Sequence, residues 1–352
     1  MWQPYLQQHH SRRRVKTAVV ILNWNGQHWL EKFLPTVVER SPGALVVIAD
    51  NASTDGSQAW TASQCPSVHW IAMDVNRGYA GGYNTALDEL KLTHPELVYA
   101  VLMNSDIEPQ SDWLPPMEEF MEAHPKAGAI QPKLLDFQDP KRFEYAGGMG
   151  GGMDCWGYPF ALGRVFDHCE MDTGQYDQPA FPRVFWASGA CLMVRLEAFE
   201  RAGRLDPRLF AHMEEIDLCW RMARAGYHIH AAAPSAVYHV GGGTLGALSP
   251  QKTYLNFRNS LLVAVKNLPT LSAMRIVSAR LFLDGIAGLL FLSRGQAAHC
   301  WAIVRAHGSF YRLFAAFALA PSPDPKGWPA AGLLRRSIVW AHYAKKERGI
   351  RF

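Results

Sequence analysis

The chain has 352 residues, 49% hydrophobic and 19% charged, a composition that excludes a disordered chain and leaves room for a sizeable core. Its net charge of +4 is uneven: thirteen of the 35 Lys/Arg but only three of the 31 Asp/Glu fall from Lys266 onward, a net of +10 behind a body at −6. That asymmetry argues against a general nucleic-acid coat and suits either a segment meeting an anionic membrane or a set of solvated helix faces.

Residues 1–15 carry charge and His but no apolar h-region, so they read as a flexible polar leader and not a secretory signal. Residues 17–22 are a continuous apolar, β-branched run, the pattern of a parallel strand buried on both faces. The run ends at Asn23-Trp24-Asn25-Gly26, and apolar residues at helical spacing predict a helix over 27–40. A second buried strand is predicted over 44–49, ending at Asp50, then a short helix over 57–64 and a third strand over 68–73. Residues 76–83 read as a Gly-rich turn, 84–92 as a helix, and 97–103 as a fourth strand ending at Asn104-Ser105-Asp106. Strand and helix alternate with a polar cluster after each strand, which predicts βαβ units and a parallel sheet with its ligand site beyond the strands' carboxyl ends.

Farther on, a helix is predicted over 114–123 and a strand over 127–133. The Gly-, Asp- and aromatic-rich stretch 136–182 reads as a long irregular excursion. Strand returns over 184–194, helix over 196–202, a loop becoming helix over 207–224, and strand pieces over 227–232 and 236–238. After residue 248 helical periodicity dominates. The apolar runs 281–292 and 314–320 are shorter than the roughly 18–20 residues that span a bilayer, so an interfacial amphipathic helix is the expected membrane form. The twelve Trp suit a core, a sugar-binding cleft or a membrane interface equally. The six Cys form no CxxC pair and read as small buried hydrophobes in a reducing, cytosolic setting.

Five constellations carry candidate chemistry. Asp50, at a strand tip, either accepts hydrogen bonds from a pyrimidine base or ribose, or closes an Asx-turn. Residues 76–84, NRGYAGGYN, either bring backbone N–H groups to an anion or pack a tight turn. Asp106 is placed to hold Mg²⁺ or Mn²⁺ against a diphosphate, since hard cations take one or two carboxylates plus phosphate oxygens; the competing reading is a helix cap. Glu214-Glu215-Ile216-Asp217 offers a base for an acceptor hydroxyl, whereas Asp217 and Arg221, at i and i+4, make a structural pair. His239, at a strand end before Gly241-Gly242-Gly243, is a candidate ligand.

In order, VVILNWNG, DNASTDGS, NRGYAGGYN, LMNSD, WASGACLMVR, FAHMEEIDLCWR and YHVGG resemble the family 2 glycosyltransferases of GT-A fold, especially the bacterial rhamnosyltransferase-like branch. The resemblance runs over residues 16–243 and more weakly to 266. It implies an α/β catalytic domain at 16–248, with a nucleotide-sugar half at 16–110 and an acceptor half at 111–248, ahead of a helical, basic region at 249–352 whose charge suits membrane contact or solvated helix faces. It places Asn23, Asn25, Asp50 and Asp55 near the donor nucleotide, Arg77, Gly78 and Asn84 along the nucleotide and diphosphate, Asp106 on a divalent cation with Asn104 as the neutral member of the usual Asp-x-Asp type motif in the donor site, and His239 as a further metal or diphosphate ligand. Glu215 stands where that family's catalytic Asp is usual, so either Glu215 or Glu214 is the base; Ser105 replaces the branch's common Pro. The implied reaction is inverting transfer from a thymidine or uridine diphosphate sugar, rhamnose first, to a glycan or lipid-linked acceptor at the cytoplasmic membrane face. The alternative is a non-catalytic nucleotide-sugar binding protein on the same fold. A dinucleotide oxidoreductase fits less well, because the first strand lacks the glycine fingerprint.

Overall fold

The computed structural model describes residues 15–241, 249–321, 324–347 and 349–350. The expected leader, apart from residue 15, and Gly242-Gly243 lie outside the described residues. The strands are β1 (Thr17–Asn23), β2 (Leu45–Asp50), β3 (His69–Ala72), β4 (Tyr99–Asn104), β5 (Ile107–Pro109), β6 (Ala127–Asp136), β7 (Gly151–Asp154), β8 (Pro159–Ala161), β9 (Arg164–Val165), β10 (His168–Cys169), β11 (Arg183–Val184), β12 (Cys191–Arg195), β13 (His228–His239) and β14 (Leu333–Leu334). The helices are α1 (Gln27–Glu39), α2 (Ser57–Gln64), α3 (Gly78–Thr93), α4 (Pro115–Ala123), α5 (Leu196–Arg201), α6 (Glu214–Arg224), α7 (Pro250–Asn267), α8 (Thr270–Ser293), α9 (Ala297–Ala318) and α10 (Ile338–Tyr343).

The main sheet runs β11-β13-β6-β12-β4-β1-β2-β3, with β5 hydrogen-bonded to β13. It is parallel through β3, β2, β1 and β4, as the alternating pattern predicts. Beyond β4 it is mixed, because β12 runs antiparallel to both β4 and β6. Alternate side chains along β1 enter different cores. Ala18 and Val20 pack with the Ala80, Tyr83 and Leu87 side of α3, whereas Val19 and Ile21 pack with Leu30 and Leu34 of α1 and Met117 of α4. Burial on both faces is why these strands read as unbroken apolar runs.

Several expectations are corrected. Residues 76–83 are not a free turn: α3 begins at Gly78, so most of the glycines sit inside its first turns. Gly82 is there for close approach, since a Cβ would lie 2.6 Å from Leu22 of β1. Residues 136–182 are not irregular throughout: β7 to β10 form a second sheet, joined in parallel by β14 from the C-terminal region. The strand expected over 184–194 is broken at Ser188-Gly189-Ala190, and the two pieces expected over 227–238 are one strand with a register shift between Ala232 and Ala236. The run 281–292 belongs to the 24-residue α8, which is long and apolar enough by composition to cross a bilayer.

Candidate active site

The polar residues after β1 and β2 meet because those strands are neighbours with Asn23 paired to Asp50 in register. Asn23 Nδ2 donates to Asp50 Oδ1 at 2.9 Å and to Ser53 Oγ at 3.1 Å, and the Ser53 N–H donates to Asp50 Oδ2 at 3.1 Å. Asp50 is therefore a turn acceptor as well as a buried carboxylate at the crevice. Asn23 Oδ1 is buried with no hydrogen-bond partner, an unmet demand at the crevice. Asn25 Oδ1 accepts from the Thr54 N–H at 2.7 Å. Asp55 caps two helices, accepting from the N–H of Gln27 at 3.0 Å and of Ser57 at 3.1 Å. Burial raises its pKa, but the Ser57 hydroxyl and these N–H groups outweigh that and lower it.

Arg77 is half-exposed and pairs with Asp74 at 2.7 Å. Gly78 has φ +68°, and a Cβ there would lie 2.9 Å from the Phe210 ring, so a side chain is excluded twice over. Asn84 points Nδ2 to the Leu205 carbonyl at 2.9 Å, linking α3 to the loop after α5. Asn51, which sequence reasoning passed over, organises this edge: Nδ2 donates to Asn76 Oδ1 and the Gly78 carbonyl, and Oδ1 accepts from the Arg77 N–H.

Asp106 and His239, 133 positions apart in sequence, are brought together because β5 turns back from β4 and pairs with β13, Ile107 opposite His239. Asp106 Oδ1 lies 3.2 Å from His239 Nε2, and Asn104 Nδ2 lies 3.4 Å from the same ring nitrogen. Glu144, a residue the sequence reading missed, completes the cluster with Oε2 3.1 Å from His239 Nδ1. All three groups are buried. Burial pushes His239 down, but the Glu144 charge and the hydrogen-bonding carboxylates overcome it and raise its pKa to about 10. Burial pushes Asp106 up, and His239 together with the Gly241 N–H more than reverses this. Two ligand atoms at right angles, each about 2.1 Å from an ion, stand about 3 Å apart; the Asp106–His239 spacing fits that. No group of three or more His, Cys, Asp or Glu able to hold a metal exists among the described residues. A cation here therefore needs oxygens from a ligand, which is how Mg²⁺ and Mn²⁺ usually sit on a diphosphate.

The second acidic cluster is different. Glu214 and Glu215 open α6, and one oxygen of each is buried without a partner. Burial, reinforced by the neighbouring Glu215 charge, drives Glu214 well above the usual carboxylate range. Burial pushes Glu215 up to about 7. Gly189 lies against this pair: a Cβ on it would stand 3.6 Å from Glu215 Cβ and 2.7 Å from the Tyr79 hydroxyl. Tyr79 donates to the Gly189 carbonyl at 2.6 Å, and the next carbonyl, Ala190, accepts from the Asn104 N–H at 2.9 Å. The Ser188-Gly189-Ala190 break in the strand thus stands between the two acidic clusters.

The loop before α6 is strained. Phe210, His212 and Met213 have φ of 66°, 66° and 74°, a region costly for residues with side chains and often found at functional sites. Asn259, fully buried on α7, holds it in place: Nδ2 donates to the carbonyls of Leu209, Ala211 and His212 at 3.0, 2.9 and 2.7 Å. Arg258 Nη2 adds a bond to the Leu209 carbonyl at 2.9 Å. Asp217, in contrast, is fully committed, to Arg221 and Lys266 at 2.7 Å each and to Asn267 at 2.8 Å. Its pairing with Arg221 is the structural one anticipated from their i, i+4 spacing.

A half-parallel, half-mixed sheet between helices, with its polar crevice at the ends of β1, β2 and β4, is an α/β GT-A fold. S. aureus TarS 1-349 in complex with UDP-GlcNAc shares it with a TM-score of 0.54 at 14% identity, over 85% of this chain and 81% of that one. GalNAc-T7 with UDP, GalNAc and Mn²⁺ superposes at a TM-score of 0.51 and 16% identity over 64% of this chain; the match spans only 43% of that longer chain. In sequence, the N-acetylglucosaminyl-diphospho-decaprenol L-rhamnosyltransferase of Mycobacterium tuberculosis is 26% identical over 231 residues, 62% of this chain and 73% of the relative. The family described as "Glycosyl transferase family 2" matches residues 18–202, and the chain belongs to that family.

Proposed function

We propose that the protein transfers a hexose, rhamnose first among candidates, from a thymidine or uridine diphosphate sugar to a hydroxyl of a glycan or lipid-linked acceptor, with inversion at the anomeric carbon. The observation that carries this reading is the juxtaposition of two unlike acidic clusters across the Gly189 turn. The similarity to a rhamnosyltransferase supports the choice of sugar.

Asn23, Asn25, Asp50, Arg77 and Gly78 line the crevice where the nucleotide lies, and the unpartnered Asn23 Oδ1 is a free acceptor for it. Asp106 and His239 would hold a divalent cation, Mg²⁺ or Mn²⁺, whose charge would offset that developing on the leaving diphosphate. His239 would ligate it through a neutral ring. Glu215 takes the proton of the acceptor hydroxyl as that oxygen attacks C1. The C1–oxygen bond to the diphosphate breaks and its electron pair departs with the nucleotide diphosphate. Glu215 is preferred to Glu214 because it is only partly buried and its pKa is close to neutral, where a general base is most effective.

A thermal-shift panel of nucleotide diphosphates and nucleotide sugars, with and without Mn²⁺, tests the donor site, because a ligand bound to the native state raises stability by mass action. A shift with a thymidine or uridine diphosphate that grows with Mn²⁺ is expected, and nucleotide diphosphate release on adding acceptor completes the case. Binding without release assigns the non-catalytic alternative.

A further inference from the structure

Helix α8 has two unlike sides. Its inner side buries Ala273, Ile276, Val277, Arg280 and Asp284. Arg280 is fixed there, donating to the Gly157 carbonyl at 3.1 Å and to Ser260 Oγ at 2.8 Å and lying 3.8 Å over the Tyr158 ring. Asp284 receives His307 Nε2 at 3.1 Å. With both mid-helix charges tied into the protein, α8 would have to break these contacts to leave it and span hydrocarbon. Its outer side is apolar: Met274, Phe282, Ile286, Leu289 and Leu290 are exposed, Phe282 to 72% and Leu289 to 67%. Leu283 shares an apolar cleft with Trp340 and Tyr343 of α10, both of which are exposed as well.

The rim of this face is cationic. Arg275 and Arg294 flank the outer side of α8, and Arg335, Arg336, Lys345 and Lys346 flank α10, all exposed, with Arg336 paired to Glu347 at 2.6 Å. None of the three acids in this region, Asp284, Asp324 and Glu347, is exposed. Leu and Phe on a helix lying flat, Trp and Tyr beside it, and Arg and Lys around it match the interface of a bilayer with anionic headgroups. A second copy of the chain fits less well, because pairing would bring two surfaces of the same sign together.

We propose that the outer face of α8, with Trp340 and Tyr343, docks the protein on an anionic phospholipid bilayer. The inference does not rest on the transferase reading, and its test reads binding alone. The full chain is sedimented with vesicles of phosphatidylglycerol and phosphatidylcholine, and with vesicles of phosphatidylcholine only, at low and high salt. Binding to the anionic vesicles at least tenfold tighter than to the neutral ones, weakened by salt, is expected. The double variant Phe282→Glu with Leu289→Glu loses at least tenfold of that binding at an unchanged melting temperature, since both side chains are already in solvent. Arg335→Glu with Arg336→Glu weakens binding to anionic vesicles and leaves neutral vesicles unaffected. The proposal is overturned if the wild-type chain stays in the supernatant, if it binds both vesicle types equally, or if it sediments as a dimer that Phe282→Glu dissociates.

Discussion

The two acidic clusters differ in how their charge is balanced. Asp106 and Glu144 enclose His239, so two carboxylates share one cationic ring that offsets part of the cost of burying them. Glu214 and Glu215 enclose nothing: each keeps a buried oxygen without a partner, and both carboxyls are pushed toward their protonated forms. A cluster that is balanced by a positive group is suited to holding another one, a cation at a diphosphate. A cluster left unbalanced is suited to accepting a proton. The division of labour between them follows from the environment, since all four acids are chemically alike.

The largest effect is expected from removing the balanced cluster's carboxylate. Asp106→Ala should lower kcat/KM at least about 10³-fold, roughly 4 kcal/mol of transition-state stabilisation, and abolish Mn²⁺-dependent nucleotide diphosphate binding in a thermal-shift assay. Wild-type-like turnover would remove the metal assignment.

Next comes the unbalanced cluster. Glu215→Gln should keep donor binding but lose about 10²–10⁴-fold in kcat. For the wild type, kcat/KM should fall as pH drops below about 7, since only the ionised base works; the variant lacks that limb. Stability should move the other way. A carboxyl whose folded pKa is raised from 4.5 to about 7 contributes stability below pH 4.5 and loses it as pH rises through 7, so the Gln variant should melt higher than wild type above pH 7. If Glu214→Gln alone is inactive, the two exchange roles.

The strained loop separates the clusters more finely. Asn259→Ala leaves the Ala211 and His212 carbonyls with no side-chain donor, while Leu209 keeps Arg258, and should cost about 1–3 kcal/mol of stability. Its kcat should fall about tenfold, because Glu215 is positioned by that loop, while the nucleotide diphosphate Kd is unchanged. Equal loss in Kd and kcat, seen by titration alongside turnover, would make Asn259 merely structural.

The smallest effect concerns Glu144. With its folded pKa raised to about 10, His239 contributes stability below pH 6.5 that disappears as pH rises toward 10. Glu144→Gln lowers that pKa, so the alkaline fall in Tm should be smaller and should end at lower pH. An identical pH profile would mean that Glu144 does not balance the ring.

The parallel half of the fold was legible because it is written locally. β1, β2 and β4 announce themselves as β-branched runs buried on both faces, and each ends in polar residues at the crevice. Asp106, Glu214 and Glu215 were visible for the same reason, as carboxylates at element boundaries. The start of α3 was misread because its glycines resemble a turn, although they serve close packing against Leu22 and Phe210. The small sheet β7 to β10 was missed because strands of two to four residues carry no periodicity. Glu144 had no sequence signal, lying in a glycine- and aromatic-rich stretch. Asn259 had a faint one, a polar pair with Arg258 on the side of α7 that also buries Leu255 and Leu262.

The sequence by itself determined which segments are strands and helices in the first hundred residues, and that carboxylates sit at the ends of apolar elements, because both properties depend on neighbours a few residues apart. Only the tertiary structure decided which carboxylate meets which partner. Asp106 finds His239 through the β5–β13 pairing, Glu144 arrives from the turn after β6, and the loop of Glu215 is held by an Asn more than forty residues farther along. Those meetings set the charge balance, and charge balance depends on distance in space, which short-range sequence patterns do not encode.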